Sequence, residues 1–301
     1  MVASARTFAR AALAGNPSDG YGGRTLAVCL ADWTAEANFV PAPTFRVEPG
    51  SADLERLVAA ALTRLVKIGA IPCVAGEVRV RTTIPREVGL AGSSAVVIAV
   101  MRAAAAAHGV ELTAATLADE ALAAEVEELG IAAGPQDRVV QAHEGLVYMD
   151  FASGHVETID PALLPPLLVA HRRGPARHSG MSHSSLRARF ERGDPDVLAA
   201  LVELADAARR AARALRERNH AAFAAELDRS FDLRAQMMDV DADEVEGIAI
   251  ARHHGAAANY AGSGGAVVAA PSDEDTGALV EAFSAAGWEA RPLRVAAPIR
   301  M

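Results

Sequence analysis

The sequence is poor in lysine and in aromatic residues, and it has no excess of positive charge. Its 301 residues carry 29 basic and 38 acidic side chains, a formal net charge of −9, and only 4% of them are aromatic. Lys67 is the single lysine. A chain without a basic excess is poorly suited to bind nucleic acid or an anionic membrane. We therefore expect neither of these as a partner.

Several familiar sites are also missing. No G-x-x-x-x-G-K-[ST] segment occurs, and Lys67 lies in a helical pattern, which excludes a Walker-type nucleotide site. The two cysteines, Cys29 and Cys73, lie in apolar runs without metal-ligand spacing, so both are predicted to be buried structural thiols. The longest apolar stretch, residues 96–107, is interrupted by Arg102. Neither a signal peptide nor a membrane-spanning helix is predicted, which favours a cytoplasmic protein.

The spacing of apolar residues predicts an α+β protein with two domains. Strands and helices alternate too irregularly for a doubly wound sheet. A break in periodicity at residues 161–166 predicts the boundary, which gives domains of residues 1–163 and 164–301. Strands are predicted at residues 7–13, 24–30, 78–83, 145–151 and 167–170, on both sides of 262–265, and from 288. Helices are predicted from 54 and 135 and at 93–108, 113–130, 195–217, 221–238, 243–254 and 273–286, with a loop reaching residue 183.

One segment, residues 84–95, places glycines and serines between a strand and a buried helix. The N–H groups at a helix N-terminus favour anions, and Gly89 and Gly92 permit close backbone approach. Ser93 and Ser94 add hydroxyl groups for phosphate or a hydrated metal ion. The residues alone leave two interpretations open: a serine-capped helix after a turn, and a phosphate loop. Its predicted nucleotide-binding residues are Pro85, Gly89, Leu90, Ala91, Gly92, Ser93, Ser94 and Ala95.

This segment resembles the phosphate loop P-x-x-x-G-L-G-S-S-A of the GHMP kinases, the family of galactokinase, homoserine kinase and mevalonate kinase. It departs from that pattern by the insertion of Ala91, which is similar to the loop of plant glucuronokinases. Residues 9–23 resemble the family's first motif, and their G-N-P-S-D form is again similar to glucuronokinases. Residues 259–266 resemble the glycine-rich third motif, although residues 262–265 alone also fit a plain hairpin turn.

The resemblance implies a two-domain GHMP kinase fold, with the active site in the cleft between an N-terminal α/β domain and a C-terminal ferredoxin-like domain. It implies ATP and Mg²⁺ as cofactors, with Glu125 and Ser94 as metal ligands. Glu127 and Glu128 compete with Glu125 for that role, and a solvated acidic face is the alternative for this segment. Asp137 is expected to face the acceptor hydroxyl, either as a base or as an orienting group, and the same resemblance gives a catalytic role to Arg10.

The implied reaction is ATP-dependent phosphorylation of the anomeric hydroxyl of a sugar, with D-glucuronate favoured. A sugar acid needs a cationic clamp, for which Arg10, Arg24, Arg177 and Arg187 are candidates. Another monosaccharide or a heptose phosphate is the alternative acceptor, because G-P-Q-D also resembles heptose-phosphate kinases. The alternative from another class is a non-catalytic nucleotide-binding regulator. We expect the protein to be a monomer or a homodimer. The predicted substrate-binding residues are Asn16, Asp19, Gly20, Tyr21, Arg24, Ser179, His183, Arg187, Gly262, Ser263 and Gly264.

Overall fold

The computed structural model describes residues 1–174, 180–240, 242–272 and 276–299. Its strands are β1 (Ala3–Ala14), β2 (Arg24–Val40), β3 (Phe45–Glu48), β4 (Gly76–Thr82), β5 (Leu146–Asp150), β6 (His155–Ile159), β7 (Leu168–Arg172), β8 (Ala257–Tyr260), β9 (Ala266–Ala270) and β10 (Trp288–Pro292). Its α-helices are α1 (Ala52–Lys67), α2 (Gly92–Ala107), α3 (Ala114–Ala123), α4 (Gln136–His143), α5 (Gly180–Glu191), α6 (Pro195–Arg216), α7 (His220–Met237), α8 (Ala242–His253) and α9 (Gly277–Ala285).

The first sheet is built around the long strand β2. Strands β3, β4, β2, β5 and β6 are hydrogen-bonded in that order, and β1 pairs with β2 over most of its length. The last eight residues of β1 are all buried, because α2 packs against this strand as well as against β2. Burial on nearly every side explains why α2 is apolar on nearly every face, as predicted.

The second sheet has the strand order β10-β7-β9-β8, and each neighbouring pair is antiparallel. In chain order this is 4-1-3-2, with helices α5 to α8 between the first two strands and α9 between the last two. This is the ferredoxin-like arrangement. The α+β fold with a C-terminal ferredoxin-like part is therefore confirmed.

Helices α6 and α7 join the two sheets into one structure. Ala208, Ala212 and Leu215 of α6 and Phe223 of α7 lie in the same hydrophobic core as the inner residues of the first sheet. A second core, with Trp288 at its centre, lies between the second sheet and helices α8 and α9. The predicted domain boundary after residue 163 falls between β6 and β7, the last strand of the first sheet and the first strand of the second.

The structure differs from the sequence prediction in a few elements. Strand β2 continues ten residues beyond the predicted end at Leu30, and β3 and β6 were not predicted. The segment predicted as a loop to residue 183 enters a helix, α5, at Gly180. Cys29 is buried as predicted, but the prediction for Cys73 is wrong, because it lies exposed in the turn between α1 and β4. Among the described residues, no helix is long and apolar enough to cross a membrane.

Candidate active site

The predicted phosphate loop connects β4 to α2. Ala91, the residue that precedes the helix, has a left-handed backbone with φ of 58°, and its side chain caps no N–H group. The first N–H groups of α2 are therefore left for an external acceptor such as a phosphate oxygen. Ser93 is exposed in this first turn, whereas Ser94 is buried with 1% exposure.

The phosphate loop lies directly against the glycine-rich loop at residues 262–265. Gly89 has φ of 76°, and a Cβ atom at this position would lie 2.5 Å from the carbonyl oxygen of Gly264. A Cβ atom at Gly262 would overlap the carbonyl oxygen of Gly89. Only glycine permits this backbone-to-backbone contact, which brings two of the predicted motifs together. Ser263 is the exposed residue of the second loop.

Arg10 of β1 connects these loops to a carboxylate. Its Nη1 donates to the carbonyl oxygens of Gly89 and Ala261 at 2.8 and 2.6 Å. Its Nε donates to Oδ1 of Asp137 at 2.5 Å. The side chain is 6% exposed, so its charge is compensated mainly by Asp137. A single guanidinium group thus fixes the position of Asp137 relative to both loops.

Asp137 lies in the first turn of α4, next to a second carboxylate, Asp19. Burial by itself raises the pKa of Asp137, but the nearby Arg10 and Arg138 guanidinium groups outweigh it and lower the pKa below its ordinary value. Asp19 has the opposite shift: burial, followed by the negative charge of Asp137, raises its pKa to about 6. The backbone N–H of Gln136 donates to Oδ2 of Asp19 at 3.3 Å.

Glu125 lies on the inner side of a short π-helical turn, residues 124–128, and is 1% exposed. The hydroxyl of Ser93 donates to its Oε1 at 2.8 Å, and Arg138 donates to its Oε2 through Nε at 2.6 Å and also through Nη2. The competing residues point away from the loop: Glu127 is exposed and pairs with Arg64 at 2.5 Å, and Glu128 pairs with Lys67 at 2.5 Å and with Arg64 at 3.4 Å. The structure thus brings Glu125, and neither of its acidic neighbours, to the phosphate loop.

The serine beside Glu125 is Ser93, whereas the prediction named Ser94. The hydroxyl of Ser94 instead donates to Oε1 of Gln141 at 2.7 Å, and Gln141 donates in turn to the carbonyl oxygen of Ala91 at 3.0 Å. This network fixes the N-terminal turn of α2 from the buried side. A metal ion at Ser94 would have to reach a hydroxyl that is buried, since Ser94 is 1% exposed whereas Ser93 is exposed.

The predicted substrate residues of the first motif lie in the connection between β1 and β2. Asn16 is 6% exposed, and its Oδ1 is buried without a hydrogen-bond partner among the described residues. Gly20 and Tyr21 belong to a 3₁₀ turn, residues 18–21. Tyr21 contacts Phe190 with ring centroids 4.6 Å apart and carries Arg187 over its ring at 5.1 Å.

Of the remaining candidates for substrate binding, Arg24 is already paired with carboxylates, and the others lie wholly or partly outside the described residues. Arg24 points to Asp150 and Asp206, at 2.6 and 3.7 Å, so its charge is already engaged. Ser179 lies outside the described residues, as do Arg177 and the side chain of His183.

The sequence prediction missed several residues of this site. Arg138 and Gln141 hold Glu125 and Ser94, and the Oε1 atom of Gln136 is buried without a hydrogen-bond partner among the described residues. Asn259 donates to the carbonyl oxygen of Leu13 at 3.1 Å, which joins the third motif to the first. The sequence feature that could have identified these residues is their position within or next to the motifs.

Comparisons with known proteins agree with this arrangement. The profile of the GHMP kinases N-terminal domain matches residues 56–145. Glucuronokinase 1 of Arabidopsis thaliana is 30% identical, over 97% of this chain and 91% of its own length, and probable glucuronokinase 2 of the same plant is 32% identical, over 87% and 82%. Lactococcus lactis galactokinase, solved with galactose, superposes with a TM-score of 0.80 at 14% identity, over 100% of this chain and 95% of that one.

A D-glycero-D-manno-heptose 1-phosphate kinase from Bacteriodes thetaiotaomicron also shares the fold, with a TM-score of 0.74 at 18% identity over 98% of this chain and 96% of that one. The chain belongs to the GHMP kinase family. Within that family, its sequence is similar over most of its length to the two plant glucuronokinases.

Proposed function

We propose that this protein transfers the γ-phosphoryl group of ATP to the anomeric hydroxyl of D-glucuronate, giving glucuronate 1-phosphate. Its family and its relatives make it a sugar kinase. What we propose beyond this is the identity of the acceptor, the hydroxyl that is phosphorylated, and the metal ion. The observation that carries it is the placement of Asp137, which Arg10 holds beside both glycine loops and next to a second carboxylate, Asp19.

The nucleotide's phosphates are proposed to bind the N-terminus of α2 and the loop of residues 85–95. Mg²⁺ in proteins commonly takes one or two carboxylates and completes its ligands with water and substrate phosphates. Glu125, together with the hydroxyl of Ser93 at 2.8 Å from it, offers oxygen donors that fit this preference. When bound with ATP, Mg²⁺ neutralises charge that develops on the transferred phosphoryl group.

Asp137 is proposed to receive the hydrogen bond of the reacting hydroxyl and to hold that oxygen in line with the γ-phosphate. Its pKa is lowered by Arg10 and Arg138 in spite of burial, so it is ionised at neutral pH and is a weak base. A loose phosphoryl-transfer transition state removes little of the hydroxyl proton early. Orientation and electrostatic stabilisation therefore describe its role better than strong proton abstraction.

The sugar's other hydroxyl groups need acceptors, and the site offers several. Asp19 is one, and two more are Oδ1 of Asn16 and Oε1 of Gln136, which have no hydrogen-bond partner in the part of the chain that the structure describes. A buried polar atom without a partner costs about 1–3 kcal/mol, which a bound donor recovers. Arg187 is the proposed clamp for the sugar carboxylate, because it lies over Tyr21 and, within the described part of the chain, pairs only with Glu191, at 3.9 Å.

The test is acceptor-dependent ADP release with glucuronate, galacturonate, glucose and galactose at equal concentration, with the phosphorylated carbon located by phosphorus-coupled NMR. We expect glucuronate to exceed glucose in kcat/KM by on the order of tenfold, because the side chain of Arg187 is 54% exposed and keeps water as a partner when glucose binds. Arg187→Gln should remove most of that preference. Arg213→Gln is the matched control, because Arg213 pairs with Glu217 on the surface of α6.

Equal rates with glucose and glucuronate would reject the carboxylate clamp. ADP release with a heptose phosphate alone would move the proposal to that acceptor. Nucleotide binding without acceptor-dependent ADP release across the sugar panel would favour the regulatory alternative.

A further inference from the structure

Arg138 is placed between Glu125 and Asp137, two of the acidic residues to which the proposed function gives a role. Its side chain is 5% exposed, and it binds Glu125 through two nitrogen atoms, Nε at 2.6 Å and Nη2. Its Nη1 donates to the carbonyl oxygen of Gly134 at 2.8 Å and lies 3.7 Å from Oδ2 of Asp137. One guanidinium group therefore fixes the geometry of both carboxylates.

The ion pair with Arg138 also neutralises the negative charge of Glu125, which would otherwise attract a cation. Glu125 and Arg138 are both buried, so their charges cancel at short range with little screening by water. A divalent cation that approached Glu125 alone would meet the positive guanidinium next to it. Among the described residues, no group of three histidine, cysteine or acidic side chains could hold a metal ion by itself.

A nucleotide changes this balance, because its triphosphate brings several negative charges to the N-terminus of α2. Ser93, which contacts Glu125, lies in that first turn. The metal's charge would then be compensated by phosphate oxygens, and Glu125 would add one well-placed carboxylate oxygen. Both Arg138 nitrogen atoms donate to the single oxygen Oε2, which holds the carboxylate in place before the metal arrives and leaves Oε1 beside Ser93.

We propose that Arg138 is a positioning residue that holds Glu125 and neutralises it, so that the protein takes up a divalent cation together with the nucleotide and not alone. This inference rests on the proposed role of Glu125 as a metal ligand. It predicts that metal binding depends on bound nucleotide, and that this dependence is lost when the positive charge of Arg138 is removed.

The experiment measures Mn²⁺ binding to the full chain by electron paramagnetic resonance, with and without a non-hydrolysable ATP analogue. The wild-type protein should bind Mn²⁺ tightly only with the analogue. In Arg138→Gln, which still offers Glu125 a hydrogen bond but removes the charge, Mn²⁺ affinity without nucleotide should rise at least tenfold. That gain should disappear when Glu125→Gln is added.

Arg64→Met is the matched control, because Arg64 pairs with Glu120 and Glu127 on the outer side of the same acidic segment. It should not create Mn²⁺ binding that depends on Glu125. Should Arg138→Gln fail to fold, Arg138→Lys keeps the charge but loses the two-nitrogen contact. It should retain the requirement for nucleotide while kcat falls and KM for ATP changes little.

Tight Mn²⁺ binding to the wild-type protein without nucleotide, lost in Glu125→Gln, would overturn the inference. So would an Arg138→Gln protein that is folded and gains no affinity, or an Arg138→Lys protein that binds Mn²⁺ alone. If Glu125→Gln leaves Mn²⁺ binding in the presence of the analogue unchanged, the proposed metal role of Glu125 itself is wrong. The two failures are therefore distinguishable.

Discussion

Asp19→Asn should make the protein more stable at neutral pH while impairing its activity. The pKa of Asp19 is raised from 3.8 to about 6 by burial and by the charge of Asp137. The folded state therefore holds the proton more tightly than the unfolded state does. The free energy of unfolding contributed by this group is complete below the ordinary pKa and is lost as the pH rises through about 6.

The size of the effect follows from the same shift. Each tenfold change in proton affinity corresponds to about 1.4 kcal/mol, so ionised Asp19 costs the folded state about 3 kcal/mol as an upper bound. Asparagine carries no charge, and its Oδ1 can still accept the hydrogen bond from the backbone N–H of Gln136. We expect a gain of about 1–3 kcal/mol at neutral pH that shrinks towards zero near pH 4.

Urea unfolding of both proteins at about pH 7.5 and about pH 4 measures this difference. Asp150→Asn is the matched control with the opposite sign. Burial raises the pKa of Asp150, but Arg24 and the backbone N–H groups of Ser153 and Ala152 together outweigh it. Its pKa is therefore lowered, and it stabilises the fold above its ordinary pKa. That variant should lose stability at neutral pH, and the loss should fade on acidification. A destabilised or pH-independent Asp19→Asn protein would refute the reasoning.

Three further changes test the site. Asp137→Asn should lower kcat by on the order of a hundredfold or more while ATP affinity stays near normal, as single-turnover and nucleotide titration measurements would show; lost ATP binding with normal kcat would move Asp137 to the nucleotide site. Glu125→Gln should lose most turnover and recover part of it at high Mg²⁺, whereas Glu127→Gln, at an outward-facing residue, should keep its turnover. Unchanged turnover of Glu125→Gln at low Mg²⁺ would contradict the metal assignment. Gly89→Ala should lower the melting temperature because its Cβ meets the carbonyl of Gly264, whereas Gly92→Ala, with only ordinary contacts to Ile84, should keep its stability; equal losses of stability would contradict the contact between the loops.

The parts of the fold that the sequence predicts are those with a local signal. The helical spacing of apolar residues predicts α1, and an almost continuous apolar run predicts the buried helix α2. Glycines mark the two loops that meet at Gly89 and Gly262. Within the family resemblance, the spacing back from Gly130 favours Glu125 over Glu127 and Glu128, and the structure places Glu125 beside Ser93.

The rest depends on contacts between residues that are far apart in the sequence. Nothing near Arg10 shows that its guanidinium reaches the carbonyl oxygens of Gly89 and Ala261. The pairing of Arg24 with Asp150 likewise depends on the register of β2 against β5, so the arginine looks available in the sequence and is engaged in the structure. Cys73 misled the prediction because an apolar run does not show whether the turn that contains it is covered.

The insertion of Ala91 has a physical consequence for the phosphate loop. A left-handed backbone at a residue with a Cβ is uncommon, and here it is supported on both sides. The carbonyl oxygen of Leu90 accepts the backbone N–H of Arg10 at 3.2 Å, and that of Ala91 accepts Nε2 of Gln141 at 3.0 Å. The extra residue therefore turns the chain between two fixed carbonyl groups, which leaves Ser93 exposed above Glu125 and sends Ser94 into the core. The left-handed backbone at Ala91 and the contact of its carbonyl oxygen with Gln141 thus orient the first turn of α2 so that Ser93, and not Ser94, faces the proposed metal ligand Glu125.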